Sequence, residues 1–227
     1  MCGRFAFYSP HEAVRRLFGV ADVPPIEPRY NIAPTQFVAA VRADDIGRRL
    51  AMLYWGLVPH WAKDKRIGAR MINARSETLK EKPSFRNAYR RRRCLVLADG
   101  YYEWQRRNEA KQPFFISAAS GEPFGMAGLW ETWQGPDEAS PLESCTIITT
   151  VPADSIAHIH DRMPVIVPAD AYGRWLDPAN DDVTDLDRLL VPCAPDRLRA
   201  YPVSRGVNNA RNQGPQLIDA LRTAGET

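Results

Sequence analysis

The apolar positions near the start of the chain follow the period of a helix. Val14, Leu17 and Phe18 fall on one helical face, because they are three and four residues apart. Ser9 is a residue type that caps helix N-termini, and the glutamate three residues later completes a capping-box pattern. Gly19 follows the last apolar position, as at many helix C-termini. The pattern predicts a first helix between Ser9 and Gly19.

Farther along the chain, most apolar residues come in short runs rich in β-branched and aromatic side chains, separated by turn-forming residues. These runs predict strands at residues 37–41, 50–55, 93–98, 101–105, 113–118, 123–129, 145–150 and 163–167. Other segments predict a helix that begins at residue 73 and helices at 154–158, 169–176, 185–190 and 216–224. The loop after residue 54 is predicted to expose two tryptophans, Trp55 and Trp61.

This mixture of many short strands and scattered helices predicts the α+β class. We expect a single β-rich domain over residues 1–227, with mainly antiparallel, barrel-like sheets and peripheral helices. A length of 227 residues with 44% hydrophobic side chains is sufficient for one domain with a buried core. A charged fraction of 25% is ordinary for a soluble globular protein.

The charge is distributed unevenly along the chain. The formal net charge is +3, but residues 60–94 contain twelve basic and three acidic side chains, a local charge of +9. Residues 177–187 are acidic instead. The contrast predicts one face that meets a polyanion and an opposite, solvated face, although a charge run is also typical of an ordinary solvated surface.

The four cysteines, Cys2, Cys94, Cys145 and Cys193, form no CxxC pair, which argues against a zinc ribbon or a thioredoxin-type motif. Cys94 and Cys145 lie in apolar runs and are predicted to be buried thiols. No signal peptide precedes Cys2, and no apolar run approaches the ~20 residues of a membrane span. We therefore expect a reduced, cytoplasmic protein that has no membrane partner and no cofactor.

Cys2 would be the N-terminal residue if Met1 were removed, and a small side chain in second place favours that removal. The product carries an α-amino group that titrates near pH ~8 and a thiol that titrates near ~8.5. The amine attacks a carbonyl to form a Schiff base, and the thiol can then close onto it as a five-membered thiazolidine. An N-terminal cysteine is thus a trap for aldehydes. The alternative is that Cys2 is a small apolar residue at the start of a strand.

Three further features are candidates for such chemistry. Glu103 lies among aromatic residues, where a carboxylate tends toward the raised pKa that proton transfer requires. His158 and His160 have a spacing that suits two metal ligands, but no third cluster matches it, so proton transfer by one of them is favoured over a metal site. Asn73 and Arg75 offer an amide to orient a hydroxyl and a guanidinium for a phosphate. Taken alone, each of these residue types more often has a structural or surface role.

Basic residues interleaved with aromatic ones are typical of single-stranded nucleic acid binding, because cations follow phosphates and rings stack on bases. Trp61 beside Lys63, Lys65 and Arg66 fits this pattern, whereas the run at residues 89–93 fits only its phosphate part. An N-terminal cysteine, a carboxylate, a histidine and such a surface together suggest an aldehyde on DNA. The opened deoxyribose of an abasic site carries that aldehyde.

The sequence resembles the SOS-response-associated peptidase (SRAP) family of abasic-site processing proteins over nearly its whole length. The resemblance rests on separate motifs in the same order. They are Met-Cys-Gly-Arg-Phe at 1–5, Arg-Tyr-Asn-Ile-Ala-Pro at 29–34, Trp-Gly-Leu-Val-Pro at 55–59, Asn-Ala-Arg-Ser-Glu-Thr at 73–78, Ala-Asp-Gly-Tyr-Tyr-Glu-Trp at 98–104, Gln-Pro-Phe-Phe-Ile at 112–116, Ile-His-Asp-Arg-Met-Pro at 159–164 and Pro-Val-Ser at 202–204. Several ordered motifs are far more specific than any one pattern.

The resemblance implies that the N-terminal cysteine joins covalently to an abasic site in single-stranded DNA through a thiazolidine and shields the lesion. The implied catalytic residues are Cys2 as nucleophile, Asn73 for positioning, Glu103 for proton shuttling and His160 as acid or base on the sugar oxygen. The implied DNA contacts are Arg4, Asn31, Pro34, Trp61, Arg75 and Arg86. A monomer with no metal is expected, with possible AP lyase activity and a peptidase activity limited to removing Met1.

One position departs from the family pattern. Some relatives have a second aromatic residue after the loop tryptophan, where this chain has Ala62, so stacking on the strand is expected to be weaker or supplied elsewhere. Two other functions remain open at this point. One is a thiol hydrolase or peptidase that uses Cys2 on an amide bond. The other is a binding module that holds single-stranded DNA without chemistry.

Overall fold

Strands carry most of the regular structure in this computed structural model, which describes residues 2–107, 110–136 and 139–221. The strands are β1 (Phe5–Phe7), β2 (Arg29–Ile32), β3 (Phe37–Asp44), β4 (Gly47–Trp55), β5 (Asn73–Arg75), β6 (Arg93–Ala98), β7 (Gly100–Arg107), β8 (Ala110–Ala118), β9 (Phe124–Trp133), β10 (Leu142–Thr150), β11 (Met163–Pro164), β12 (Ile166–Val167) and β13 (Leu198–Pro202). The α-helices are α1 (His11–Phe18), α2 (Arg86–Arg91), α3 (Tyr172–Leu176) and α4 (Val183–Asp187). Short 3₁₀ helices cover Lys65–Arg70, Ser76–Thr78, Asp154–Ile156, Ala169–Ala171, Pro195–Arg197, Arg205–Asn208 and Pro215–Ile218.

Five strands close into a barrel. β10, β4, β3, β6 and β9 pair in that order, and β9 pairs back with β10. All these pairings are antiparallel except β10 with β4, which is parallel. The inward-facing side chains of β4 and β6, such as Leu53 and Leu95, are fully buried. β5 extends the sheet by pairing in parallel with β10, so the segment that begins at Asn73 is held against the barrel wall.

A second sheet, in the order β13, β8, β7, β1 and β2, packs against the barrel. Its central strand β7 alternates between two apolar clusters, as the period of a strand requires. Tyr101 is buried in the main core, whereas Tyr102 belongs to a smaller cluster with Ala6, Phe115 and Val203. Because the start of the chain forms β1 inside this sheet, Cys2 is brought next to β7.

The long loop between β4 and β5 is held at its base by two glycines in close contact. A Cβ atom on Gly68 would lie 2.4 Å from the carbonyl oxygen of Gly56, and one on Gly56 would lie 2.7 Å from that of Gly68. Gly56 also has φ +142°, a backbone conformation that favours glycine. Only glycine fits at both positions, so this contact sets where the loop leaves and rejoins the barrel.

The α+β prediction is confirmed, and every predicted strand corresponds to an observed one, although the strand predicted at 163–167 is divided into β11 and β12. The helix predicted to begin at residue 73 is wrong, because these residues form β5 and a 3₁₀ turn. The segments 154–158 and 216–224 are 3₁₀ turns rather than α-helices as far as they lie within the described residues. α2 and β13 were not anticipated from the sequence.

Two local predictions are corrected by side-chain contacts. Ser9 does not cap α1; its backbone N–H donates to the Asp99 carboxylate at 2.8 Å and its hydroxyl also donates to Asp99, so it ties the helix entrance to the β6–β7 junction. Trp55 is fully buried, and its indole N–H donates to the carbonyl oxygen of Ile72 at 2.9 Å.

Cys94 and Cys145 are buried free thiols, as predicted. None of the helices within the described ranges has the length and apolar composition to cross a membrane.

Candidate active site

Strand pairing positions Cys2 beside Glu103. β1 is antiparallel to β7, with Phe5 opposite Tyr101, and the Tyr102 N–H donates to the Arg4 carbonyl oxygen at 2.9 Å. The same register continued toward the N-terminus places Gly3 opposite Glu103. Cys2 is fully buried. From Cys2 onward the chain is therefore packed beside β7.

Asn73 connects the start of the chain to the barrel. It is the first residue of β5, and its register against Ile147 of β10 is fixed by the parallel pairing. The side-chain Nδ2 of Asn73 donates to the Cys2 carbonyl oxygen at 2.7 Å. The other end of the amide, Oδ1, is buried and accepts no hydrogen bond from the described residues. Asn73 thus anchors the cysteine backbone and keeps one acceptor oriented within the same site.

Glu103 is a buried carboxyl group whose side chain is 3% exposed. Burial raises the pKa of Glu103 to about 7, because a carboxylate loses hydration in the interior, and the negative charge of Asp161 adds to this. Near neutral pH the group is therefore populated in both its acid and its base form. This is the property that the aromatic surroundings of Glu103 predicted from the sequence.

His160 lies beside Glu103, with 3.8 Å between Nε2 of the ring and Oε2 of the carboxyl group. Burial lowers the pKa of His160, which favours the neutral imidazole. The backbone N–H of Arg162 donates to Nδ1 at 3.1 Å, although the Asp161 carboxylate is also 2.9 Å from Nδ1. Asp161 is 87% exposed and water competes for it, whereas the amide N–H is fixed by the turn. The neutral ring therefore carries its hydrogen on Nε2, which faces Glu103.

A bidentate ion pair holds the turn that carries His160. Arg162 Nη1 and Nη2 donate to the two carboxylate oxygens of Glu77 at 2.6 and 3.0 Å, and Nη2 also donates to the Thr149 carbonyl oxygen at 2.5 Å. This contact joins the turn to both β10 and the segment after β5. The sequence motifs contain Glu77 and Arg162, but their pairing was missed because they are far apart along the chain and neither motif points to the other.

The Cys2 thiol is held in its neutral form. Burial raises the pKa of this thiol well above its usual range, and the nearby Glu103 carboxylate adds to the shift. A neutral thiol cannot compete as the first nucleophile at neutral pH. The arrangement favours attack by another group first, followed by attack of the sulfur with transfer of its proton.

A cavity of about 430 Å³ opens in front of the Glu103–His160 pair. Its lining residues are Glu103, Trp104, Arg106, Lys111, His160 and Asn208. The Trp104 indole N–H donates to Asn208 Oδ1 at 2.8 Å and so fixes one wall. Arg106 and Lys111 face each other across β7 and β8 and make the entrance cationic. Sequence reasoning missed these two residues, although basic side chains three and eight positions after Glu103 could have indicated them.

The predicted DNA contacts occupy different environments. Trp61 is 50% exposed, and Arg75 and Arg86 are exposed. Pro34 is half-buried. Arg4 is half-buried and donates to Asn31 Oδ1 and to the Val207 carbonyl oxygen, both at 2.7 Å.

Asn31 is fully buried, and its amide donates to the carbonyl oxygens of Asn209 and Asn212 at 3.0 Å each. In this conformation Asn31 and Arg4 tie the start of the chain to residues 207–212. The exposed tryptophan and arginines lie on the outer surface instead.

The family model described as SOS response associated peptidase (SRAP) matches residues 1–210. The chain belongs to the SRAP family. An SRAP relative from Bacillus subtilis, "Abasic site processing protein YoqW", is 44% identical over 224 residues, which cover 97% of this chain and all of that protein.

Two further proteins are similar to this chain, one in sequence and one in fold. "Abasic site processing protein HMCES" from Xenopus tropicalis is 35% identical over 201 residues, covering 79% of this chain and 59% of that longer protein. A crystal structure of a protein from Bacteroides thetaiotaomicron aligns with a TM-score of 0.88 at 24% identity, covering 97% of this chain and all of that one. The SRAP fold therefore extends over almost the whole described chain.

Proposed function

We propose that this protein processes abasic sites in single-stranded DNA by joining Cys2 covalently to the lesion, which it shields during the DNA damage response. One observation carries the proposal: a buried cysteine at the start of the chain is anchored by Asn73 and lies beside a Glu103–His160 pair. The names of the relatives YoqW and HMCES as abasic site processing proteins support it. The reaction requires removal of Met1, because only then does Cys2 carry a primary amine.

The first step opens the sugar. The anomeric hydroxyl of the abasic deoxyribose gives its proton to the Glu103 carboxylate, while the ring oxygen takes the Nε2 hydrogen of His160 and the C1′–O4′ bond breaks. The proton on Glu103 then passes to Nε2, which is 3.8 Å from Oε2, so both groups return to their starting forms. The product is the free aldehyde. The Nε2–H tautomer inferred from the Arg162 contact supports this role, because the hydrogen lies on the nitrogen nearest Glu103.

The second step forms the Schiff base. The Cys2 amine attacks C1′, a C–N bond forms, and the former carbonyl oxygen leaves as water after protonation. Glu103, with a pKa raised to about 7, supplies that proton and takes up the one released by the amine. The Asn73 side chain orients the amine through the Cys2 backbone, and its Oδ1 is an acceptor for an N–H of the attacking group.

The third step closes the ring. The Cys2 sulfur attacks the imine carbon, a C–S bond forms, and the π electrons of the C=N bond move to nitrogen. The thiol proton ends on that nitrogen, so the step needs no oxidant or reductant. The raised pKa of the buried thiol supports this order of events, because the sulfur adds only after the imine provides a strong electrophile.

The finer aspects of the proposal follow from the same site. The imine permits AP lyase activity, in which a C2′ proton is lost and the 3′ phosphate leaves. The peptidase activity in the family description is proposed to be the removal of Met1 alone. The protein acts as a monomer in the cytoplasm, on the nucleoid. Trp61, Arg75 and Arg86 are its proposed outer DNA contacts, and Arg4, Asn31 and Pro34 shape the site near the amine.

The test is covalent capture of abasic single-stranded DNA by protein that lacks Met1. Wild-type protein is expected to give an adduct that survives heating in denaturant. Cys2→Ser keeps the amine and forms a reversible imine, so its adduct is lost on heating. Cys193→Ser, which alters a partly exposed thiol outside this site, is the control and should behave as wild type. Tight binding of wild type without any heat-stable adduct would leave only a DNA-binding module.

A further inference from the structure

Four consecutive arginines, residues 90–93, lie between the last turn of α2 and the start of β6 and have different environments. Arg93 turns inward and is 3% exposed. Its guanidinium donates to the carbonyl oxygens of Trp175 at 2.6 Å, Tyr89 at 2.8 Å and Asn180 at 2.9 Å. Arg93 therefore fastens α2 and α3 to the barrel and is not available to a ligand. The other three arginines remain at the surface.

These three arginines line a cavity of about 500 Å³ outside the candidate active site. We call it the arginine pocket, and it is lined by His60, Asn87, Arg90, Arg91, Arg92 and Glu131. All six side chains are polar, so the cavity offers little to an apolar ligand. Guanidinium, imidazole and amide groups that converge on one cavity are suited to the oxygens of a phosphate.

Glu131 organises the base of the arginine pocket without neutralising it. It is 7% exposed, and its Oε2 accepts a hydrogen bond from Arg92 Nη2 at 2.8 Å and lies 3.5 Å from His60 Nδ1. Arg91 is 3.6 Å from Asp181, and Arg90 forms no ion pair with any described residue. The buried carboxylate thus orients Arg92 and His60. The exposed guanidinium of Arg90 is available to an anion, and Arg91 can exchange its exposed contact with Asp181 for one.

The barrel relates the arginine pocket to the candidate active site. Glu131 is paired with Ser144 of β10, and Asn73 of the candidate active site is paired with Ile147 of the same strand. Three residues separate these positions, about 10 Å at the rise of a strand, and β9 and β5 lie on opposite sides of β10, which adds about 10 Å across the sheet. The resulting separation is about 14 Å, or about four nucleotides at the duplex phosphate spacing of about 3.4 Å, and fewer in an extended strand.

The loop between β4 and β5 bridges this distance with aromatic and basic side chains. A second surface cavity of about 500 Å³ is lined by Trp61, Ala62, Lys63, Asp64, Arg66, Ile67 and Arg70. It adjoins the arginine pocket through the bond between His60 and Trp61. A single strand that leaves the active site along this loop would therefore meet cations up to the arginine pocket.

We propose that the arginine pocket holds a backbone phosphate of the DNA strand whose abasic site reacts at Cys2, a few nucleotides from the lesion. The inference rests on the proposed function, because that function supplies the strand. Its consequence is a DNA footprint longer than the active site. Affinity then depends on the length of strand that flanks the lesion, and not on the lesion alone.

The test compares Arg90→Gln/Arg91→Gln with Arg15→Gln/Arg16→Gln, an equally exposed arginine pair in the last turn of α1. Binding is measured to strands that carry a non-reactive abasic analogue and extend either about two or about ten nucleotides on each side of it. The wild type should bind the long strand more tightly. The R90Q/R91Q protein should lose about tenfold affinity for the long strand and none for the short one, and its log–log salt slope should fall by about 0.7–1.4.

The control pair should match wild type on both strands. An equal loss on short and long strands, or no loss, would overturn the proposal. Tripolyphosphate serves as the free-phosphate probe in calorimetry: if it binds wild type but not R90Q/R91Q while DNA binding is independent of length, the pocket holds a free polyphosphate instead. Adduct yield on reactive strands is scored separately, so failure of the covalent chemistry is distinguished from failure of the pocket.

Discussion

At the scale of single residues, burial determines what each group in the site can do. The same loss of hydration raises the pKa of Glu103 and of the Cys2 thiol and lowers that of His160. The result is an acid–base group poised near neutral pH, a neutral imidazole with a defined tautomer and a sulfur that waits for an electrophile. These are complementary requirements of imine formation followed by ring closure.

The raised pKa of Glu103 predicts that the free energy of unfolding depends on pH. An unfolded glutamate titrates near pH 4.3, and the folded one near 7, so the folded state binds the extra proton between these values. The free energy of unfolding of wild type should therefore fall by about 3 kcal/mol at this group as the pH rises through that range, and stay level above it. Glu103→Gln removes this fall, as measured by denaturant unfolding at pH 5 and pH 8.

Glu12→Gln is the control, because Glu12 is exposed on α1. The E12Q protein should follow the wild-type dependence, so the difference between the two variants isolates the buried group. Parallel pH profiles for E103Q and E12Q would contradict the assignment of a raised pKa to Glu103.

At the scale of elements, strands that are determined by a local sequence pattern were predicted correctly, whereas an element that is determined by long-range contacts was not. Strands such as β6 at Arg93–Ala98 were predictable because a short continuous apolar run that ends at a turn signal indicates a buried strand, whichever strand it pairs with. β5 was not, because its three residues are held extended by β10, which lies some seventy residues later in the chain. The candidate residue Asn73 lies on this incorrectly predicted element, and its contact with Cys2 is set by the sheet.

The glycine contact at the base of the β4–β5 loop predicts a large effect of a small change. Gly68→Ala places a Cβ atom 2.4 Å from the Gly56 carbonyl oxygen, so the backbone must move, and we expect the free energy of unfolding to fall by about 2–3 kcal/mol. Gly173→Ala is the matched control. Its Cβ atom would meet only Arg48 Nη2 at 3.5 Å, and alanine in a helix should stabilise by about 0.5–1 kcal/mol. Equal unfolding midpoints for the two variants would show that the contact does not constrain the loop.

At the scale of the whole molecule, the fold divides the basic segment at residues 60–94 into structural and accessible parts. Arg93 is buried and donates to the backbone carbonyl oxygens that hold α2 and α3, whereas Trp61, Arg75 and Arg86 remain exposed. The sequence predicts that this surface is positively charged, but it does not predict which of the arginines are buried. Periodicity within a short helix does not reveal which arginine donates to backbone carbonyls. Arg106 and Lys111 were missed for a similar reason: β7 and β8 bring them together only in the folded hairpin.

The same scale explains how the fold holds Cys2 in place. β1 lies inside a five-stranded sheet, so the segment before it is held by β7 on one side and by Asn73 of the barrel on the other. The closed barrel and the second sheet together position one cysteine, one amide and one acid–base pair. The chemistry proposed for Cys2 requires both this assembly and removal of the residue that precedes it.

The most direct measurement is the intact mass of the purified protein before and after reaction with an abasic single strand. Before reaction, the mass should be that of the chain without Met1. Afterwards it should equal the sum of protein and DNA less one water, and borohydride should leave it unchanged because a thiazolidine contains no imine to reduce. A stable adduct on protein that retains Met1, or an adduct whose mass rises on borohydride treatment, would contradict a thiazolidine formed by Cys2.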